Sequence, residues 1–87
     1  MSEDGNGRRE HRSTLELVES IRVHTLVIDL LEFRNPRKQL VAIEDIRSNP
    51  SLLKHPQVLE ALRETAAHAS PQAREEAVSV LKSAQLL

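Results

Sequence analysis

The chain has no cysteine, a single aromatic residue and only two glycines among its 87 residues. Without cysteine it can form neither a disulfide nor a thiolate nucleophile or ligand. Base stacking, cation–π cages and most small-molecule pockets depend on aromatic rings, and Phe33 is the only one present. Both glycines precede Arg8, which excludes a glycine-rich phosphate loop from the rest of the chain. We therefore expect a protein that is not an enzyme and that uses no cofactor.

The charges of the chain nearly balance. Twelve Lys and Arg residues face 13 Asp and Glu residues, for a formal net charge of −1. A protein whose main role is to coat nucleic acid or an anionic membrane carries a clear basic excess. No apolar run approaches the ~18 residues of a membrane span, and the N-terminal residues lack the apolar core of a signal peptide. We expect a soluble, cytoplasmic protein that does not bind membranes.

Residues 1–12 differ in composition from the remainder. They read MSEDGNGRREHR, with both glycines and no aliphatic residue after Met1. Such a segment cannot bury enough apolar surface to offset the entropy lost on ordering. We predict a disordered N-terminal tail over 1–12 and a single helical domain over 13–87.

A long N-terminal helix is predicted over 14–33. Ser13 and Glu16 have the spacing of a capping box, and the following Asn35-Pro36 step disfavours helix beyond residue 34. The alternative is a strand over 21–28, where β-branched residues are frequent. The mainly apolar run over 26–31 breaks strand alternation and favours the helix.

All four prolines stand in front of helical patterns. Proline is favoured at the first helical position, because its missing N–H would have no intrahelical partner there, and Asn and Ser are favoured as the preceding cap. The sequence predicts helices over 36–48 and 56–69, a short turn from Pro50, and a last helix from Pro71 to about residue 84. The expected fold class is all-α: a small bundle of about four helices with a long N-terminal helix and a C-terminal antiparallel helical hairpin.

The last two predicted helices share a further pattern. In SPQAREEAVSVL the residues that carry it are Pro71, Arg74, Ala77 and Leu81, and HPQVLEALRETA has the form of a preceding helix. Residues 50–84 resemble a HEAT repeat on this pattern. The chain shows one such pair, whereas solenoids usually need at least ~3 repeats. An isolated Ala-rich helical hairpin is the alternative interpretation.

The first helix is too apolar to be covered by the rest of the chain. Apolar residues occupy about two-thirds of its circumference, while the shorter helices offer narrow, Ala-rich faces. A second copy is the simplest cover, since a two-fold pairing uses one patch for both halves of the interface. We predict a homodimer formed through the residues that face away from the hairpin, which are Ile21, His24, Ile28 and Leu31.

No group of side chains indicates catalysis or metal binding. No two of the four histidines stand three or four residues apart, the helical spacing of a ligand pair. The adjacent acidic pairs at 44–45 and 75–76 point about 100° apart on a helix and do not converge on a substrate. We predict no catalytic residue and no metal ligand, and we interpret His24 as part of a helix interface.

Five cations between residues 34 and 54 form a basic region, and they are candidate contacts for a partner protein or for phosphates: Arg34, Arg37, Lys38, Arg47 and Lys54. In a helix-turn-helix such a stretch meets DNA, with the following helix as the reader. Glu60 and Glu64 on that helix would be repelled by phosphates, so a protein partner fits better.

The primary functional prediction is therefore a small protein–protein interaction module, such as an adaptor, an inhibitor or a regulatory subunit, that self-associates through helix 14–33. The alternative is a small DNA-binding transcriptional regulator that uses the basic region over 34–54.

Overall fold

The computed structural model describes residues 17–86, and every regular element in this range is helical. The elements are α1 over 17–30, α2 over Pro36–Ser48, a 3-10 helix over Pro50–Lys54, α3 over Pro56–His68 and α4 over Pro71–Ser83. The all-α class is confirmed, and residues 21–28 are helix rather than strand. The predicted tail over 1–12 and the capping signal at Ser13 and Glu16 lie outside the described residues, so the full length of the first helix stays a prediction.

Each of the four prolines occupies the start of a helix, as predicted. Asn35 caps α2, where its Oδ1 accepts a hydrogen bond from the amide of Lys38 at 3.3 Å. Ser70 is the cap residue of α4, but its side chain makes no capping hydrogen bond. Proline geometry therefore sets these starts, and a side-chain cap adds to only one of the four.

Replacing Asn35 by Ala is expected to lower the free energy of unfolding by about 1 kcal/mol, because the capping hydrogen bond is lost. Ser70→Ala is the matched control, since the Ser70 hydroxyl makes no capping bond, and it should change stability by less than about 0.5 kcal/mol. Urea denaturation followed by circular dichroism measures both. Equal losses in the two variants would contradict this difference between the caps.

The core lies where α2, α3 and α4 meet, with one side of α1 added to it. Only Ala69 and Ser70 separate α3 from α4, and the two helices pack against each other as a helical hairpin requires. Helix α4 also packs against α2. The buried hydrophobic residues are Val23, Leu26, Leu30, Ala42, Ile43, Ile46, Leu52, Leu53, Val58, Ala61, Leu62, Ala69, Ala73, Ala77, Val80 and Leu81.

Helix α1 ends at residue 30, earlier than the predicted end at residue 33. In a continuing helix the carbonyl of Leu30 would accept a hydrogen bond from the amide of residue 34. It accepts instead from Nε2 of Gln39 at 2.8 Å and from Oγ1 of Thr65 at 3.0 Å. Side chains from α2 and α3 thus replace the next helical turn, and the chain turns towards α2.

Gln39 and Thr65 are the polar side chains that the core buries among the described residues. The Thr65 hydroxyl also lies 2.8 Å from the carbonyl of Ala61, so one proton is shared between two acceptors. Oε1 of Gln39 is buried without a hydrogen-bond partner. Turning this amide over would bring two oxygen acceptors together at Leu30, which explains why the nitrogen faces the carbonyl.

Thr65→Val and Gln39→Leu each remove one donor to this carbonyl, and each is expected to cost about 1 kcal/mol. Gln39→Leu should cost the less of the two, because it also removes a buried oxygen that has no partner. The double variant leaves the Leu30 carbonyl unpartnered in the core.

The double variant should therefore lose about 1 kcal/mol or more beyond the sum of the single losses. Chemical denaturation of the parent, the two single variants and the double variant gives the cycle. Strictly additive losses would show that the shared carbonyl does not link the two side chains.

Candidate self-association surface on the first helix

The four residues predicted for self-association are all exposed: Ile21, His24 and Ile28 lie on α1, and Leu31 directly follows it, with its amide still bonded to the carbonyl of Val27 at 3.0 Å. The helix packs on the bundle through a different side, formed by Val23, Leu26 and Leu30. At 100° per residue the centres of the two sets lie about 145° apart around the helix axis. A partner can therefore contact this exposed side of α1 without displacing the residues that pack against the bundle.

Leu17 extends the same side by one turn towards the N-terminus. Positions 17, 21, 24, 28 and 31 are separated alternately by four and three residues, which is the spacing of positions a and d in a coiled coil. Ile21 and Ile28 then take the a positions, and Leu17, His24 and Leu31 take the d positions. We call these five residues the α1 seam. Sequence reasoning missed Leu17, and this alternating spacing is the signal that would have found it.

The aliphatic side chains of the α1 seam are about half exposed. Their exposed fractions are 61% for Leu17, 58% for Ile21, 49% for Ile28 and 42% for Leu31. Core positions of the same residue types, such as Leu62 and Ile46, are fully buried. A row of aliphatic residues this exposed is typical of a surface that another chain covers.

The residues that flank the α1 seam are mostly uncharged, namely Val18, Ser20, Thr25 and Val27. Two charged side chains of α1 pair with residues of the bundle. Arg22 lies 3.8 Å from Asp45 of α2, and Glu19 lies 3.0 Å from His55 at the start of α3. At 100° per residue both side chains lie on the side of α1 that faces the bundle, away from the seam, so these contacts tie the helix to the bundle.

An open cleft of about 650 Å³ lies beside the seam, between α1 and the start of α3. Its lining includes His24 from the seam and the Glu19–His55 pair. Across the described residues, no three His, Asp or Glu side chains are grouped so as to hold a metal ion. The cleft therefore adds polar groups beside the seam without forming a metal centre there.

The structure divides the basic region that the sequence presents as one stretch. Arg47 donates hydrogen bonds to Glu44 and to Glu76 of α4, both at 2.7 Å. The hydrogen bond to Glu76 raises the pKa of the Arg47 guanidinium above its ordinary value, and the nearby charges of Glu76 and Glu44 act in the same direction. Arg47 thus already has two carboxylate partners and links α2 to α4.

The other four basic residues make no ion pair with another described residue. Arg34, Arg37 and Lys38 are exposed around the start of α2. About 15 Å of helix separates Arg37 from Arg47 along the axis of α2. Lys54 is exposed at the end of the 3-10 helix. Three of the five predicted contacts are therefore close together, and two are not part of that group.

Comparison with protein-family models, with curated proteins and with solved structures gives no match for this chain. The resemblance of residues 50–84 to a HEAT repeat consequently rests on the sequence pattern alone. Among the helices described between residues 17 and 86, none is both long and apolar enough to cross a membrane.

Proposed function

We propose that this protein is a small, non-enzymatic protein–protein interaction module that pairs with a second copy of itself through the α1 seam. The single observation that supports the proposal is the row of five residues at coiled-coil spacing on the uncovered side of α1. A short helix of this kind is marginal in isolation. Here packing on the bundle already holds it in helical form.

A second copy is the occupant that best fits this surface. The seam has no charged residue, so bringing two identical seams together creates no like-charge contact along it. A two-fold axis also lets each copy supply both the patch and its complement. A helix that continues back to residue 14, as the sequence predicts, would lengthen the same contact.

The exposed area of the seam suggests a weak dimer. Burying the exposed half of an aliphatic side chain gains roughly 1 kcal/mol, so eight such side chains from two copies gain about 8 kcal/mol. Association costs about 4–15 kcal/mol in lost freedom of motion. Flanking contacts from Val18 and Val27 add to the gain, which remains similar in size to the cost, so we expect a weak dimer rather than a tight one.

Sedimentation equilibrium between about 10 μM and 1 mM should show the mass rising from that of the monomer towards twice that value. Ile28→Glu should weaken the dimer at least ~10-fold, because it places a charge in an apolar contact. Val41→Glu is the matched control, since Val41 is 63% exposed and belongs to α2 rather than to the seam. It should leave the dissociation constant unchanged.

A single monomeric species over the whole concentration range would contradict the proposed self-association. If Ile28→Glu and Val41→Glu weakened association equally, the contact would lie on another surface. Circular dichroism of both variants checks that the fold is retained, which the exposure of both positions leads us to expect.

A small DNA-binding regulator is the second candidate, and the exposed group Arg34, Arg37 and Lys38 is the observation that favours it. Two features favour the interaction module instead. Arg47 is engaged with carboxylates, and Glu60 and Glu64 are exposed on α3.

A mobility-shift assay with duplex DNA at low salt separates the two candidates. We expect no shift from the interaction module. A shift that disappears in the triple variant Arg34→Ala, Arg37→Ala, Lys38→Ala and weakens steeply as salt rises would favour the DNA-binding regulator.

A further inference from the structure

The α1 seam contains one polar residue, His24, at its centre. Ile21 and Ile28 lie one turn to either side of it. When a second copy covers the seam, the imidazole leaves water, and its N–H group and its unprotonated ring nitrogen then both need hydrogen-bond partners. Which groups the second copy brings to this position depends on the relative direction of the two helices.

In a parallel, in-register pair every seam residue faces its own equivalent. His24 then faces His24 of the second copy, and the N–H of one neutral ring can donate to the free nitrogen of the other. Ile at the a positions together with Leu at the d positions is also the combination that favours two strands in a parallel coiled coil. The parallel arrangement therefore gives His24 a hydrogen-bond partner and also suits the distribution of Ile and Leu along the seam.

In an antiparallel pair, the reversal of one helix brings a positions opposite d positions. Each His24 would then face an isoleucine of the other copy and find no polar partner in the seam. A buried polar group without a partner opposes the arrangement that buries it. A single polar residue in an apolar seam can fix register and oligomeric state in this way, at a cost in affinity.

We infer that the two copies pair in parallel and in register, and that His24 selects this arrangement over the antiparallel one while weakening the dimer. The inference rests on the proposed function, because it requires the α1 seam to be the interface. His24 acts here as a residue that determines specificity rather than as one that adds affinity.

The absence of cysteine from the chain makes cross-linking a clean test. An antiparallel pair in which His24 faces Ile21 sets position 17 opposite position 28, so Leu17→Cys and Ile28→Cys place single thiols at a d and an a position about 17 Å apart along the helix axis. A disulfide needs Cα atoms about 4.4–6.8 Å apart, so only positions that lie side by side can be linked. Ser79→Cys, exposed on α4, reports cross-linking by random collision.

Each seam variant, oxidised alone with glutathione disulfide at about pH 8, should form linked dimers well above the Ser79→Cys level. An equimolar mixture of the two variants, of which one carries a mass tag, should give 17–17 and 28–28 links and almost no 17–28 link. A predominant 17–28 link, or a dimer mass without 17–17 and 28–28 links, would overturn the parallel arrangement and leave the proposed function standing. No link above the Ser79→Cys level, together with a monomeric mass, would contradict the proposed function itself.

His24→Leu tests the role of the histidine directly. It should tighten the dimer roughly 10-fold or more, because the polar group is removed from the seam. In this background the mixture should also form the 17–28 link, because the preference for one direction is lost. Tighter association with an unchanged cross-linking pattern would show that His24 does not select the direction, and would overturn that part of the inference.

Discussion

The carbonyl of Leu30 is the point at which three helices depend on one another. It ends α1, and it accepts hydrogen bonds from Gln39 of α2 and Thr65 of α3, all within the core. A buried carbonyl left without a donor costs about 1–3 kcal/mol, which is a large share of the stability of a domain this small. The turn between α1 and α2 and the placement of α3 are therefore linked through one oxygen atom.

The orientation of α1 follows from this constraint and decides which residues remain outside. With Leu30 held at the centre of the bundle, Val23 and Leu26 on the same side of the helix are buried with it. The contacts of Arg22 with Asp45 and of Glu19 with His55 also hold α1 against the bundle. The seam is consequently presented on a helix that is already formed, which lowers the ordering cost of association.

Charges around the start of α2 would also influence the association proposed above. In a parallel pair, the cations at Arg34, Arg37 and Lys38 from both copies would lie at the same end of the dimer. Their repulsion is screened over about 8 Å at physiological ionic strength. It would act in the same direction as the proposed His24 layer, against association, and would keep the proposed dimer weak and exchangeable. Such a module responds to its own concentration more readily than a tight dimer does.

Local constraints in the sequence determine where α2, α3, α4 and the 3-10 helix begin, because proline restricts its own φ angle and the residue before it. The spacing that defines the α1 seam is likewise present in the sequence. Only the tertiary structure decides that Leu30 ends α1, since its donors Gln39 and Thr65 are 9 and 35 positions away. In the same way, only the folded structure pairs Arg47 with Glu76, 29 positions along the chain, and so separates it in role from the other basic residues. Backbone restrictions act over one or two residues, whereas the partner of a buried polar group is settled only when the helices pack.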